Sequence, residues 1–208
     1  MDRVGCKLMS IDIQSLLMGK ALGSSGGSGG GGNIFEWDFT SATPLVDKVR
    51  GVLARSLNVT FSDSGAVYNN TSASIHIPAL PYGVTIEIDV ASSSLTASSS
   101  YNRRFVTSGT YMGFILDKSS KKWGFYSTQG TETIDIDDPN YFSGHMLKVH
   151  IDANNKWHIY RDSDLIFEPA AALQLASDNY DGSSRPVFYV GSSDDSINNV
   201  VISAVRVY

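Results

Sequence analysis

The sequence predicts an all-β fold, a two-sheet antiparallel sandwich, preceded by a short segment and a flexible linker. Residues 33–208 consist of many short runs in which apolar and polar side chains alternate between turn-forming residues. Apolar residues make up 42% of the 208 residues and charged residues 18%, a globular composition. Helical periodicity never lasts long enough for a βαβ arrangement.

Residues 1–22 are predicted to be an anchoring or docking segment, because they carry apolar side chains that so short a stretch cannot bury on itself. The candidate anchoring residues are Leu8, Ile11, Ile13, Leu16, Leu17 and Leu22. The alternative interpretation is a disordered tail. Residues 23–32 read GSSGGSGGGG, which is typical of a flexible tether, or of a cloning remnant.

The first part of the sandwich begins with two clearly alternating strands. In Asn33–Thr40, three aromatic side chains alternate with two carboxylates, which predicts one buried and one solvated face. In Gly83–Ala91, four aliphatic residues alternate with Thr85, Glu87 and Asp89.

Hairpins and closing strands account for the second half of the domain. Strands are predicted on both sides of the polar turn at Lys118–Lys121, and again around Ala153–Asn155, where Asn suits left-handed backbone angles. The chain is expected to close with strands at Pro186–Gly191 and Val200–Tyr208. In the last of these, one face should carry the alternate residues Val201, Ser203, Val205 and Val207.

The order of these strands resembles the concanavalin A-like lectin and glucanase superfamily, in particular its laminin G-like jelly rolls. The resemblance covers residues 33–208 and rests on the stretches NIFEWDFT, GVTIEIDVA, YMGFILDKSSKKWGFYS, HMLKVHIDANNKWHIYRDSDLIFE and VGSSDDSINNVVISAVRVY. The turn that follows the Trp157 strand departs from the family pattern, because Arg161–Asp164 contains no glycine. The resemblance implies a jelly-roll β-sandwich. The N-terminal IQSLLMGKALG, with its glycine tract, resembles structural proteins of bacteriophages and prophages.

The strand at Glu87 also resembles the Glu-x-Asp-x-(x)-Glu strand of family-16-like glucanases. That likeness implies a nucleophile at Glu87 with Asp89 beside it, but Ala91 and Ser92 stand where the acid/base carboxylate would be. Retaining hydrolysis needs that proton donor, so we expect no catalytic residues and no enzymatic activity.

Metal and cofactor sites are not expected, although calcium remains an open alternative. His150 and His158 are predicted to face each other across the three-residue turn, but two histidines fall short of a zinc site. Acidic clusters at Asp135–Asp138, Asp178–Asp181 and Asp194–Asp195 contain oxygen ligands that calcium prefers, without matching a defined calcium loop.

The candidate ligand-binding residues are aromatic, cationic or acidic side chains on turns and outer faces. Tyrosine offers a rigid apolar face and a polar tip, which suits sugar rings. The candidates are Tyr82, Tyr101, Arg103, Arg104, Tyr141, Tyr180, Glu87 and Asp89.

The net charge, the cysteine count and the lengths of the apolar runs restrict which partners and locations are expected. A net charge of −5 argues against nucleic acid, which needs a basic face. The single cysteine, Cys6, allows no intrachain disulfide. We expect neither a membrane span nor a signal peptide, because no apolar run is long enough and the N-terminal one is interrupted.

Together these features predict a non-enzymatic virion surface protein of a phage or prophage: a tail, fibre or capsid decoration. Residues 1–22 would bind other virion proteins, and the sandwich would bind host-surface glycan or decorate the particle. A virion location favours a symmetric homo-oligomer on the assembly. The alternatives are a free carbohydrate-binding, lectin-like module and, third, a family-16-like glycoside hydrolase.

Overall fold

The computed structural model describes residues 32–70, 72–78, 83–98, 100, 102–108, 112–127, 130–170, 177–179, 184–191 and 197–208. The predicted anchoring residues Leu8, Ile11, Ile13, Leu16, Leu17 and Leu22 lie outside these residues, as does most of the glycine tract. The domain boundaries at residues 22 and 32 therefore stay predictions. In the described part of the chain there is no helix that could span a membrane.

The predicted all-β sandwich is confirmed: the described strands form two antiparallel eight-stranded sheets. Sheet 1 contains β1 (Phe35–Asp38), β3 (Thr60–Ser62), β4 (Gly65–Tyr68), β6 (Val84–Ser93), β11 (His145–Ile151), β12 (Trp157–Arg161), β13 (Asp164–Phe167) and β16 (Val200–Val207). Sheet 2 contains β2 (Arg55–Leu57), β5 (Ser74–Pro78), β7 (Arg103–Thr107), β8 (Gly113–Leu116), β9 (Trp123–Ser127), β10 (Gly130–Thr133), β14 (Ser177–Asn179) and β15 (Ser184–Gly191).

The strand order interleaves distant parts of the sequence. Sheet 1 runs β13-β12-β11-β6-β16-β4-β3, with β1 also paired to β16. Sheet 2 runs β10-β9-β8-β7-β15-β5-β2, with β14 also paired to β15. The last strand, β16, thus lies beside β6 in the interior of sheet 1, so the sheet is complete only once this strand is in place.

The core lies between the sheets and is built from the predicted apolar faces. The three tryptophans Trp37, Trp123 and Trp157 are fully buried there. Trp157 of sheet 1 packs on Phe125 and Phe188 of sheet 2, with ring centroids 4.9 and 5.4 Å apart. Burial of such large apolar surfaces between the layers provides the main stabilisation of the fold.

One buried polar contact also joins the layers. The Tyr68 hydroxyl on β4 donates a hydrogen bond to the Val190 carbonyl oxygen on β15, 3.2 Å away. Complete burial raises the pKa of Tyr68 well above its ordinary value, so this hydroxyl stays protonated and remains a donor.

The predicted hairpin turns are confirmed. In the polar turn after β8, the Asp117 N–H donates to the Lys122 carbonyl oxygen, and the Lys121 N–H donates to the Asp117 carbonyl oxygen. In the turn before β12, Asn155 has a φ of 61°, the left-handed conformation that asparagine tolerates. The turn after β12 contains no glycine, and here Asp162 takes the left-handed conformation, with a φ of 53°.

The prediction that Val201, Ser203, Val205 and Val207 share one face is wrong. The register of β16 against β6 shifts on both sides of Ile202, so Ser203 is an extra residue in the ladder. Residues 201 and 203 therefore point outward, while residues 205 and 207 point into the core.

Candidate functional site

The outer face of sheet 1, which is the face turned away from sheet 2, carries a row of alternating charges. The strand registers place Glu36, Arg206, Glu87, Lys148 and Tyr160 side by side across five strands. We call these five residues, together with Asp89 on β6 and Tyr208, which form hydrogen bonds to them, the charge row. Each charged side chain in it has an opposite charge on a neighbouring strand, an arrangement that stabilises antiparallel pairs.

The two acidic ligand candidates are engaged within this face. Asp89 accepts two hydrogen bonds from the Arg206 guanidinium, at 2.7 and 3.2 Å, and this contact raises the pKa of Arg206. Glu87 accepts a hydrogen bond of 2.8 Å from the Tyr208 hydroxyl, and its other oxygen lies 3.8 Å from Lys148 Nζ. Burial, then the bond to Glu87, raises the pKa of Tyr208 to about 12.

These contacts do not favour bond cleavage at Glu87. A proton donor for a leaving group must give up its proton near neutral pH. The Tyr208 hydroxyl, which is hydrogen-bonded to Glu87, has a pKa of about 12 and therefore stays protonated. Ala91, at the position of the third carboxylate, is exposed and lies where the register with β16 shifts.

The predicted pairing of His150 and His158 is confirmed by the register of β11 and β12, and their rings lie 5.7 Å apart. His158 Nδ1 lies 2.9 Å from a Glu168 carboxylate oxygen, and His150 Nδ1 lies 2.9 Å from the Thr85 hydroxyl. Partial burial, followed by the proximity of His158, lowers the pKa of His150. Among residues with described positions, no group of three or more His, Cys, Asp or Glu side chains forms a metal site.

The acidic turn at residues 135–138 is occupied by contacts within the chain. Asp135 pairs with Lys122 at 2.5 Å, which lowers the pKa of Asp135. One Asp138 oxygen accepts a hydrogen bond from the backbone N–H of Asn140. The side chains of the other two predicted calcium clusters lie outside the described residues.

The remaining ligand candidates do not converge on the charge row. Arg103 is buried, and its Nε donates to the Thr96 carbonyl oxygen at 3.3 Å. Arg104 lies on sheet 2, opposite Ile115 on its outer face. Tyr141 packs under the Arg161 guanidinium, 4.3 Å from the ring centroid. The candidates Tyr82, Tyr101 and Tyr180 lie outside the described residues.

The outer face of sheet 2 carries a second row, which the sequence analysis did not identify. The registers place Tyr126, Gly113, Thr107, Tyr189 and His76 side by side on β9, β8, β7, β15 and β5. Their chain neighbours, such as those at 114, 125, 188 and 190, belong to the core, so these five residues face outward. We call them the tyrosine row.

The two ends of the tyrosine row project while its middle is low. Tyr126, Tyr189 and His76 are half-buried, and the His76 ring meets the Tyr189 ring edge-on at 4.4 Å. Gly113 has no side chain, and Thr107 is buried with its hydroxyl bonded to the Gly191 carbonyl oxygen. The row thus combines two aromatic groups with short residues between them.

In three of its five strands the tyrosine row lies at or next to a strand end: Thr107 ends β7, Gly113 begins β8, and Tyr126 is the residue before the last of β9. Tyr189 and His76 lie inside β15 and β5. Side chains near strand ends lie next to loops, where binding residues are often found. The alternation of Tyr126 with Phe125, and of Tyr189 with Phe188, was visible in the sequence. Their common row, however, depends on pairings between distant strands.

Neither a protein-family model nor a curated protein sequence matches the chain. Solved structures with similar folds include Trypanosoma rangeli sialidase in complex with the inhibitor DANA, with a TM-score of 0.62 and 14% identity over 86% of this chain. The chain spans about a third (31%) of that sialidase chain.

Two further similar structures are single domains of larger proteins. One is domain 4 of AbnA, a GH43 extracellular arabinanase from Geobacillus stearothermophilus, in complex with arabinotriose. Its TM-score is 0.58 at 14% identity, covering 85% of this chain and 91% of that domain. The other is the binding domain of botulinum neurotoxin serotype D, with a TM-score of 0.54 at 9% identity, covering 85% of this chain and 48% of that one. At these identities the similarity shows the fold.

Proposed function

We propose that the sandwich is a non-enzymatic carbohydrate-binding module and that its ligand lies on the tyrosine row. The observation that carries the proposal is the alignment of Tyr126 and Tyr189 on one outer face, with only short residues between them. Aromatic rings pack on the apolar faces of sugars, while hydroxyl and imidazole groups bind sugar hydroxyls.

Fold similarity supports the same class of ligand. The arabinanase domain, which this fold matches over 91% of its length, was solved with arabinotriose bound. The charge row supports the non-enzymatic part of the proposal, because Glu87 and Asp89 are held by Tyr208 and Arg206 rather than by a proton donor of suitable pKa.

The test is glycan binding by the full chain, measured on a glycan array and then by isothermal titration calorimetry. Tyr126→Ala and Tyr189→Ala should each raise Kd about two- to twelvefold, which corresponds to the roughly 0.5–1.5 kcal/mol of a stacked aromatic contact. Tyr160→Ala is the matched control, a half-buried tyrosine on the outer face of the other sheet.

Two results would refute the proposal. One is the absence of binding to any arrayed glycan. The other is binding that Tyr160→Ala weakens and the two sheet-2 variants do not. Glu87→Gln should leave the Kd unchanged, and hydrolysis of a bound glycan that depends on Glu87 would overturn the non-enzymatic assignment.

A phage or prophage virion surface is proposed as the place where this module works, as a tail, fibre or capsid decoration. The support is the sequence layout: an apolar segment at residues 1–22, a glycine-serine tether and then the sandwich. Many tethered copies, as in a homo-oligomer on a particle, would convert weak single contacts into avidity. Undiminished incorporation into particles after deletion of residues 1–22 would refute the anchoring role.

A further inference from the structure

The spacing of the tyrosine row bears on the length and direction of its ligand. Tyr126 lies on β9 and Tyr189 on β15, with β8 and β7 between them. Neighbouring strands lie about 4.8 Å apart, so three spacings put the backbones of the two tyrosines roughly 14 Å apart. A single sugar ring is too short to contact both.

From this spacing we infer that the module binds an extended oligosaccharide of four or more units, lying across the strands with one unit over each of β9, β8, β7 and β15. This inference rests on the proposed function. In an extended glycan each unit advances by a length comparable to one inter-strand spacing, which is about 4.8 Å. Units stacked on Tyr126 and Tyr189 would therefore be the first and fourth of the chain.

The middle of the row suits the two inner units. Gly113 lies between Tyr126 and Thr107, and a Cβ atom built on it would come within 2.3 Å of the Val106 carbonyl oxygen. The position therefore accommodates no side chain, and the surface stays low there. Thr107 is held down by its hydrogen bond to Gly191. A glycan chain can thus pass from one tyrosine to the other without a steric barrier from these two residues.

The strand next to Tyr189, β5, places a polar group directly beside the Tyr189 ring, where the fourth unit would lie. His76 on β5 stacks edge-on against the Tyr189 ring, and its Nε2 lies 3.3 Å from the Ser74 hydroxyl. This contact fixes the imidazole beside the aromatic surface, which pre-organises a polar group at that end of the row. A glycan lying along the strands would instead contact only one of the tyrosines.

The experiment measures Kd by calorimetry for the full chain with arabino-, xylo- and cello-oligosaccharides of one to six units. For the series that binds, we expect the tetrasaccharide to bind at least tenfold more tightly than the disaccharide, with little further gain at five or six units. Tyr126→Ala and Tyr189→Ala should each remove most of this gain, and the Tyr160→Ala control should keep it.

If only the glycan array shows binding, the same length series is measured for the glycan that the array identifies. Equal affinity for the disaccharide and the tetrasaccharide, or a length-dependent gain that survives in both tyrosine variants, overturns the four-unit inference and leaves the proposed function in place. If none of the three series binds and the glycan array is also silent, the proposed function fails and this inference fails with it.

Discussion

The hydrogen-bonded pair of Asp89 and Arg206 provides a direct test of the charge row. We consider the variants Asp89→Ala, Arg206→Ala and the double variant, compared with the wild-type chain. A double-mutant cycle isolates the interaction between the two side chains from the other effects of each substitution. The control cycle uses Asp135 and Lys122, a pair with a similar separation of 2.5 Å.

The structure predicts a different interaction energy for the two pairs. Asp89 and Arg206 share two hydrogen bonds, and their side chains are only 31% and 28% exposed. Bidentate geometry strengthens the pair, but partial solvent screening keeps the expected coupling at about 1 kcal/mol, the upper end of the range for surface pairs. Asp135 is 96% exposed, so its pair should show no measurable coupling.

The free energy of unfolding is measured by urea denaturation at low and at high salt. The Asp89–Arg206 coupling should persist in part at high salt, because partly buried charges are less screened. If the coupling of this pair cannot be distinguished from that of the Asp135–Lys122 control, then the charge row does not stabilise the sheet, and our account of why Asp89 is engaged is wrong.

Three further predictions concern stability. Tyr68→Phe should lower the free energy of unfolding by about 1 kcal/mol in urea denaturation, because it removes one buried hydrogen bond; an unchanged value would contradict the bond between the sheets. Hydrogen bonds from Lys48 and Thr40 lower the pKa of Asp38 from 3.8 to about 2, so its contribution is complete above about pH 4 and is lost as the pH falls toward 2. Asp38→Asn should therefore reduce the slope of the free energy of unfolding against pH in that interval. A slope identical to that of the wild type would show that Asp38 does not cause this pH dependence. Gly124→Ala should lower the free energy of unfolding by about 1–3 kcal/mol, because the added Cβ would lie 2.3 Å from the Glu132 carbonyl oxygen on β10. A thermal midpoint equal to the wild-type value would show that β10 can move away from the added methyl group at no cost.

Much of the fold could be predicted because its elements depend on local patterns. The alternation of Phe35 and Trp37 with Glu36 defined the buried face of β1 before any partner strand was known. The turn at Asn155 was predictable for a similar reason, because the backbone preference of asparagine is a property of a single residue. The direct pairing of His150 with His158 followed from the length of that turn.

The features that the sequence did not predict depend on contacts between residues that are far apart in the chain. An extra residue in a strand leaves no signal in its own alternation, so the outward direction of Ser203 became visible only when β16 was placed against β6. The engagement of Asp89 by Arg206 likewise joins positions more than a hundred residues apart in the chain.

The candidate site was the least predictable part. Tyr126 and Tyr189 read as ordinary strand residues, while the sequence drew attention to Glu87 because of its carboxylate motif. Which of these side chains share a surface depends on the order of strands in each sheet.

The sequence by itself determined that this chain forms short alternating strands with one apolar face each, because side-chain direction in a strand repeats every two residues. Only the tertiary structure decided which faces became neighbours: Glu87 and Asp89 lie beside Arg206 and Tyr208 on sheet 1, and the two tyrosines share a row on sheet 2. The physical reason is that strand pairing is a long-range choice, set by how all the apolar faces can be buried at once, and no local pattern specifies it.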